Sequence, residues 1–511
     1  MSRWKMKNLS GKFSNIPYPL FLMIIGLFVF ILNAAFNGKY GFHRDELEML
    51  MNARRLAWGY VAYPPITPFI ARLGLDLFGF SLFGIRLLPA LAQGIAAILV
   101  ALMAKDMGGD RKVQFFAAIG AAIAPVALVS GTMIQYMSFD FLCWVLVSFS
   151  FIRLIHTENP RWWIAIGASI GLGMMTKYTI AFFIAGLVIS ILLTSTRKYL
   201  RSTWLWAGVG TAVIIFLPNL IWQVQHHFIS LEFLSSIHAR DIAWGRTDEF
   251  LIDQLYGTSN PLMLPVWMAG LIYLFFTAEG KKYRALGIMF LVTFLLLLIG
   301  KGRGYYVGPA YPMLIAAGAV WIHSLISSLK DAARIILRSL TWILLGLGAI
   351  IGIVLMKPIF PVSSPGWKSV LEINDIYVEM IGWDDLAKQV ADVSNTLSAE
   401  EKQGAVILAG NYGEAGAMEF YGGPYNLPRM ISGSNSLWSR GYGDQEPQTL
   451  IVVGFEKEYA GNFFNDCTES ARVSNRYGVL NEETEYHNSI YICRGLKKPW
   501  KDIWPTMQWF Q

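Results

Sequence analysis

The chain has 511 residues, 54% of them hydrophobic and 15% charged, with a mean hydropathy of +0.44. Soluble domains carry about 25% charged residues and disordered chains are poor in aromatics, so at 14% aromatic neither class fits. A net charge of +7 with only three cysteines points to a membrane protein whose basic residues sort by side, not to a nucleic-acid binder or a disulfide-dense scaffold.

Apolar stretches of about 17–25 residues mark membrane spans. Eleven begin near Tyr18, Leu82, Val113, Asp140, Trp162, Thr179, Trp204, Pro261, Ala285, Val307 and Ile335. The first follows Arg3, Lys5, Lys7 and Lys12. It reads as an uncleaved signal anchor, because its apolar run is long for a signal-peptide core and continues into a charged loop. Short connectors carrying Lys105/Arg111/Lys112, Arg153/Arg161, Arg197/Lys198/Arg201, Lys281/Lys282/Arg284 and Lys330/Arg334/Arg338 all fall on the side of the N-terminus. The positive-inside rule therefore predicts a cytoplasmic N-terminus. An odd number of spans then puts everything after Lys357 outside, together with two long loops over 37–81 and 223–260.

The expected fold is a polytopic α-helical membrane domain over 1–356 followed by an extracytoplasmic α/β domain over 357–511. The second part turns rich in Gly, Asn, Glu and Ser. Short apolar runs at 405–409, 450–454 and 489–493 read as buried strands. Residues 384–396 read as an amphipathic helix with Leu386, Val390 and Val393 on one face, and such alternation suggests an α/β layer. Cys467 and Cys493 would lie in an oxidising compartment, where they either pair or stay as buried thiols. Cys143, inside a span, is packing.

Charges at membrane depth are costly and need a reason, and here they gather at the outer rim. The first outer loop opens with Gly41-Phe-His-Arg-Asp-Glu-Leu-Glu and ends in the proline-stiffened turn Tyr63-Pro-Pro-Ile-Thr-Pro. Asp45 and Glu46 either cap a surface helix or do acid–base work. Asp140, after the short turn from Gln135, reads as a helix cap or as a second acid facing the same cavity. Lys177 either snorkels to the interface or meets an anion. Lys301-Gly-Arg-Gly-Tyr-Tyr sets two cations and two tyrosines in one turn whose glycines let backbone approach a ligand. A lipid-linked sugar phosphate fits this combination: tail in the bilayer, phosphate on Arg and Lys, sugar against aromatics, and a carboxylate to take a proton from the acceptor. A transporter or flippase of lipid-linked sugars is the alternative, but polar residues gather on one face and no internal repeat is visible. Gly208-Val-Gly is helix packing, no dinucleotide or phosphate-loop motif has a suitable context, and His226-His227 reads as loop surface.

At these residues a family resemblance emerges. Phe42-His-Arg-Asp-Glu-Leu, followed by Leu56-Ala-Trp-Gly-Tyr-Val-Ala-Tyr-Pro-Pro-Ile-Thr-Pro, resembles the first-loop signature of bacterial glycosyltransferase family 39. These are protein O-mannosyltransferase-like enzymes of the GT-C fold, related to the lipid A aminoarabinose transferases. Thr176-Lys-Tyr-Thr, Gly304-Tyr-Tyr-Val-Gly-Pro-Ala-Tyr-Pro, Ile381-Gly-Trp-Asp-Asp-Leu, Asn411-Tyr-Gly-Glu-Ala-Gly-Ala and Ser432-Gly-Ser-Asn-Ser-Leu-Trp continue it in order. The resemblance implies an inverting transferase that uses a polyprenyl-phosphate sugar at the periplasmic face of a bacterial inner membrane. It implies Asp45 as general base, Glu46 orienting the acceptor or bracing the loop, and Asp140 binding acceptor, sugar or a divalent metal ion. Lys177, Lys301 and Arg303 would neutralise the phosphate with Arg44 and Arg86 assisting, and Tyr305 and Tyr306 would meet the sugar or the phosphate. No His/Cys ligand set for a metal is legible. The inserted repeat domains of the eukaryotic members are not found, and the segment Asn411-Tyr-Gly-Glu and Trp438 are either part of the site or a strand-to-helix turn and a core aromatic. Lipid A, another envelope glycan and a protein hydroxyl remain open as acceptors.

Overall fold

The computed structural model describes residues 16–444 and 446–511; the basic stretch Arg3 to Lys12 lies outside them. All eleven apolar stretches are helical. Among the described residues, six helices are long and apolar enough to cross a membrane, or eight if each of two sharply bent pairs is one span. Of the three others, Tyr18–Ala34 and Trp162–Met174 are short, and the stretch at Val113 is Arg111–Ala122 with a break before Pro125–Ser130. The eleven expected spans thus correspond to eleven helical stretches, of which six are unbroken helices of spanning length among the described residues. Proline at the head of Pro125–Ser130 explains that break, since it cannot donate an amide to the preceding turn.

Close helix crossings are built on small residues, as expected where lipid supplies no hydrophobic drive between helices. A Cβ on Gly167 would lie 1.9 Å from the Gly208 carbonyl oxygen, so Gly208 does serve packing. Likewise a Cβ on Gly318 would sit 1.8 Å from the Val266 oxygen.

The polar groups divide between the two ends of the bundle. At one end the basic connectors touch each other: Arg153 pairs with Asp106 at 2.9 Å, Lys198 with Glu158 at 2.8 Å, and the Tyr283 hydroxyl donates to the Asp106 carbonyl at 2.8 Å. At the other end lie the first outer loop, the turns at Gln135, Lys177 and Arg303, and the C-terminal domain.

That domain holds a five-stranded sheet in the order β2-β1-β3-β5-β4. The strands are β1 (Val406–Ala409), β2 (Met430–Ile431), β3 (Thr449–Val453), β4 (Phe464–Arg472) and β5 (Ser489–Leu496). β1 pairs in parallel with β2 and β3, whereas β5 runs antiparallel to β3 and β4. Three strands and the helix Trp383–Ser394 stand where the periodicity puts them. β4 escaped because it is a polar edge strand with little apolar alternation (Phe-Asn-Asp-Cys-Thr-Glu-Ser-Ala-Arg). It brings Cys467 opposite Cys493, and the two form a disulfide. Cys143 is a buried free thiol.

One sheet face packs on Trp500 and Met507. The other joins Ile407, Ile451 and Val390 to Phe42, Leu47 and Leu50 of the first outer loop in a single core. The C-terminal domain is thus docked through a hydrophobic seam, not merely tethered. Small residues set the distance: a Cβ on Gly416 would be 2.5 Å from that of Leu47.

Candidate active site

The helix Arg44–Ala53 starts with a reciprocal cap: the His43 ring accepts the Asp45 amide at 3.1 Å, and the Glu46 carboxylate accepts the His43 amide at 2.9 Å. This fixes the helix start and sends the two neighbouring carboxylates to different surroundings. Glu46 is fully buried. It accepts Arg86 Nε at 3.0 Å and Nη2 at 2.5 Å, and the Ile134 amide at 2.9 Å. Arg86, equally buried, also donates to the Gly41 carbonyl at 2.8 Å. The pair ties the first loop to the neighbouring helix and turn. Arg86 therefore has no free face for a donor phosphate, and Glu46 none for an acceptor.

Asp45 differs. Its side chain keeps 28% exposure. Oδ2 accepts Gln135 Nε2 at 2.7 Å and Oδ1 accepts the Tyr412 hydroxyl at 2.8 Å. Tyr412 comes from the first turn of the helix Tyr412–Tyr421, so the C-terminal domain reaches the carboxylate directly. Arg44 supports that contact instead of meeting an anion: its Nε donates to the Tyr412 oxygen at 3.2 Å, and it pairs with Glu482 and, at 3.6 Å, with Glu379.

Asp140 is not a helix cap. The helix Tyr136–Thr157 begins one turn earlier with Gln135 as cap, and Asp140 is buried with Oδ1 accepting Trp144 Nε1 at 3.0 Å. It lies beneath the rim, within electrostatic reach of Lys177. The Lys177 ammonium stands over three tyrosine rings, 4.9 Å from the centre of Tyr136, 5.3 Å from Tyr305 and 4.1 Å from Tyr306. Tyr305 and Tyr306 meet edge to face at 4.8 Å. Gln135, bound to Asp45, immediately precedes Tyr136, so the carboxylate and the caged cation belong to one site. Among the described residues Lys177 has no carboxylate within ion-pair distance. Burial pulls the pKa of the Lys177 ammonium below its ordinary value, and the nearby Tyr305 and Asp140 oppose this only in part.

Arg303 is already paired in a two-pronged contact with Asp241 of the second outer loop, both bonds at 2.6 Å. Lys301, in the left-handed backbone region with φ 48°, is exposed and free of ion pairs among the described residues. Sequence reasoning missed Arg240, one residue before Asp241. Its buried Nε has no hydrogen-bond partner, and its guanidinium stands 5.0 Å over the Trp244 ring. It also missed Glu48, one helical turn after Asp45 and so on the same face. Glu48 is buried, accepts Asn435 Nδ2 at 3.1 Å, and burial pushes its carboxyl up to about 7.

Asn411 and Glu414 form the reciprocal cap of the helix that carries Tyr412, and Trp438 is a partly buried aromatic donating to the Trp504 carbonyl at 2.9 Å. They match the strand-to-helix turn and core aromatic, while the tyrosine between the two cap residues reaches the site. Among the described residues no group of three or more His, Cys, Asp or Glu has the geometry to hold a metal ion.

The family model of dolichyl-phosphate-mannose-protein mannosyltransferases matches residues 62–222. Undecaprenyl phosphate-α-4-amino-4-deoxy-L-arabinose arabinosyl transferase 1 of Pseudomonas fluorescens is 26% identical over 409 residues, covering 71% of this chain and 69% of that protein. Lipid A galacturonosyltransferase RgtD of Rhizobium johnstonii is 27% identical over 207 residues, 40% of this chain and 41% of that one. In fold, the crystal structure of ArnT from Cupriavidus metallidurans bound to undecaprenyl phosphate superposes with a TM-score of 0.59 at 14% identity, over 93% of this chain and 97% of that one. The mycobacterial arabinofuranosyltransferase AftD follows with a TM-score of 0.55 at 14% identity, over 94% of this chain but 40% of that one. Over residues 62–222 the chain is thus similar in sequence to the dolichyl-phosphate-mannose-protein mannosyltransferases, and along nearly its whole length it shares the fold of the ArnT structure.

Proposed function

We propose that this protein moves a sugar from a polyprenyl-phosphate carrier to an envelope acceptor at the periplasmic face of a bacterial inner membrane. The observation that carries the reading is Asp45: the one carboxylate of the first-loop Asp-Glu pair left partly open, aimed by Gln135 and Tyr412. The relatives' names supply the class of donor, undecaprenyl phosphate-linked, and of one acceptor, lipid A. Two features support the orientation: the basic connectors gathered at the opposite end of the bundle, and the Cys467–Cys493 disulfide, which suits an oxidising compartment.

In this reading Asp45 takes the proton of an acceptor hydroxyl or amine as that atom attacks the anomeric carbon. The bond from that carbon to the phosphate oxygen breaks on the opposite side, and its electron pair leaves with the carrier phosphate. Lys177, Arg240 and Lys301, three cations with no carboxylate at ion-pair distance among the described residues, stabilise the charge that develops there. Tyr305 and Tyr306 form the aromatic wall beside it. Asp140 acts from below as the buried carboxyl within electrostatic reach of Lys177. Arg303, Arg44, Arg86 and Glu46 are positioning residues, each bound to a protein partner.

Mass spectrometry of envelope lipids from a host with and without the gene tests the function. A missing sugar-sized increment on an envelope glycolipid, with its polyprenyl-phosphate donor accumulating, is the expected result. An unchanged glycan profile would refute transfer.

A further inference from the structure

At the basic end of the bundle, opposite the candidate site, a shallow, open cleft lies between the helices Arg111–Ala122, Tyr311–Ser327 and Asp331–Met356. Its walls are apolar: Phe116 and Ile322 line it, with Trp342 edge-to-face on Phe116 at 5.5 Å. Three basic side chains, Lys112, His323 and Arg338, stand among the lining residues.

Their charge is poorly matched by protein. Arg338 Nε is buried without a hydrogen-bond partner. Among the described residues neither Arg338 nor the exposed Lys112 has a carboxylate at ion-pair distance. His323 faces Asp110 at 3.7 Å, but the same carboxylate already caps the helix by accepting the Lys112 and Val113 amides, both at 2.9 Å. The other nearby acid, Asp331, is paired with Arg334. A half-buried guanidinium whose Nε lacks a protein partner, beside an apolar slot, is a site for an anion that brings its own hydrocarbon. The setting supplies one: Asp331–Met356 is an outer helix, exposing Ile335, Ile336 and Ile343, so membrane lipid can enter from the side.

We propose that this cleft seats one anionic phospholipid, its phosphate on Arg338 and Lys112 and an acyl chain along Phe116 and Trp342. Basic pockets between helices on the cytoplasmic side are where such headgroups bind. The site is separate from the transferase chemistry and rests on the proposed reading only for the orientation that puts this end of the bundle on the cytoplasmic side.

The test is native mass spectrometry of the full chain in detergent, titrated with phosphatidylglycerol, phosphatidylcholine or inorganic phosphate. One phosphatidylglycerol should bind in preference to phosphatidylcholine. The double variant Lys112→Ala/Arg338→Ala should lose that preference with a drop in affinity of about tenfold or more. Lys281→Ala, an exposed cation at the same end but outside the cleft, should retain it. Lys112→Ala alone removes an exposed side chain and leaves the fold intact, and should give a smaller drop. A wild-type preference in both Lys112 variants would overturn the proposal. So would displacement of the lipid by millimolar inorganic phosphate, which would mark a site for a free anion.

Discussion

Replacing Glu46 by Ala separates a bracing carboxylate from a catalytic one. The change removes the only carboxylate among the described residues at ion-pair distance from the fully buried Arg86 guanidinium, and strands the amides of Ile134 and His43, each 2.9 Å from a Glu46 oxygen. Breaking a buried ion pair by deleting one partner costs about 3–5 kcal/mol, and an unsatisfied buried amide about 1–3 kcal/mol. Even allowing for non-additivity, the loss is ~5 kcal/mol, comparable to the whole stability of many domains. At roughly 2–4 °C per kcal/mol, thermal unfolding of the purified protein in detergent should shift down by about 10 °C or more. Glu46→Gln, which keeps acceptors on the same shape, should lose less. Unchanged melting in Glu46→Ala with abolished turnover would refute the assignment and return Glu46 to the chemistry.

Tyr412→Phe should leave melting near wild type while lowering kcat by about 10–100-fold, the worth of one hydrogen bond to a charged group, with donor KM unchanged; equal rates would mean that the C-terminal domain only covers the site. Lys177→Met should chiefly weaken donor binding, and Lys177→Arg should recover part of it; unaltered donor affinity in the Met variant would remove Lys177 from phosphate recognition. Glu48 makes stability depend on pH. Burial keeps it protonated up to about 7 in the folded chain against 4.5 when open, so the folded state holds more protons between those values and stability falls as pH rises through that window. The full loss is about 3 kcal/mol. Glu414, also pushed up to about 7 by burial, adds in the same direction. The melting temperature should therefore be higher at pH 5 than at pH 8, with a shallower difference in Glu48→Gln; identical pH slopes would contradict it.

Much of this was legible because membrane spans and buried strands announce themselves by period and length. The three apolar strands, the helix Trp383–Ser394 and the outer-rim charge cluster follow from pattern alone. Partner choice does not. Arg86 and Arg303 read as free cations in sequence, yet each is held by a carboxylate, Glu46 40 residues away and Asp241 62 residues away. Tyr412 is 367 residues from Asp45 and reaches it only because the sheet domain shares a core with the first loop. Arg240 was masked by its place in a long polar loop, where a basic residue is unremarkable until its surroundings are known. Glu48 gave a usable signal, the one-turn spacing from Asp45, which the adjacent Asp-Glu pair overshadowed.

The central claim is that Asp45 performs a transfer. A host lacking the gene should be complemented with wild type or with Asp45→Asn, matched for membrane level and melting temperature, and its envelope glycolipids weighed by mass spectrometry. The account predicts that wild type restores the sugar-sized increment, while Asp45→Asn restores none and leaves the polyprenyl-phosphate donor to accumulate. A full increment with Asp45→Asn would contradict it.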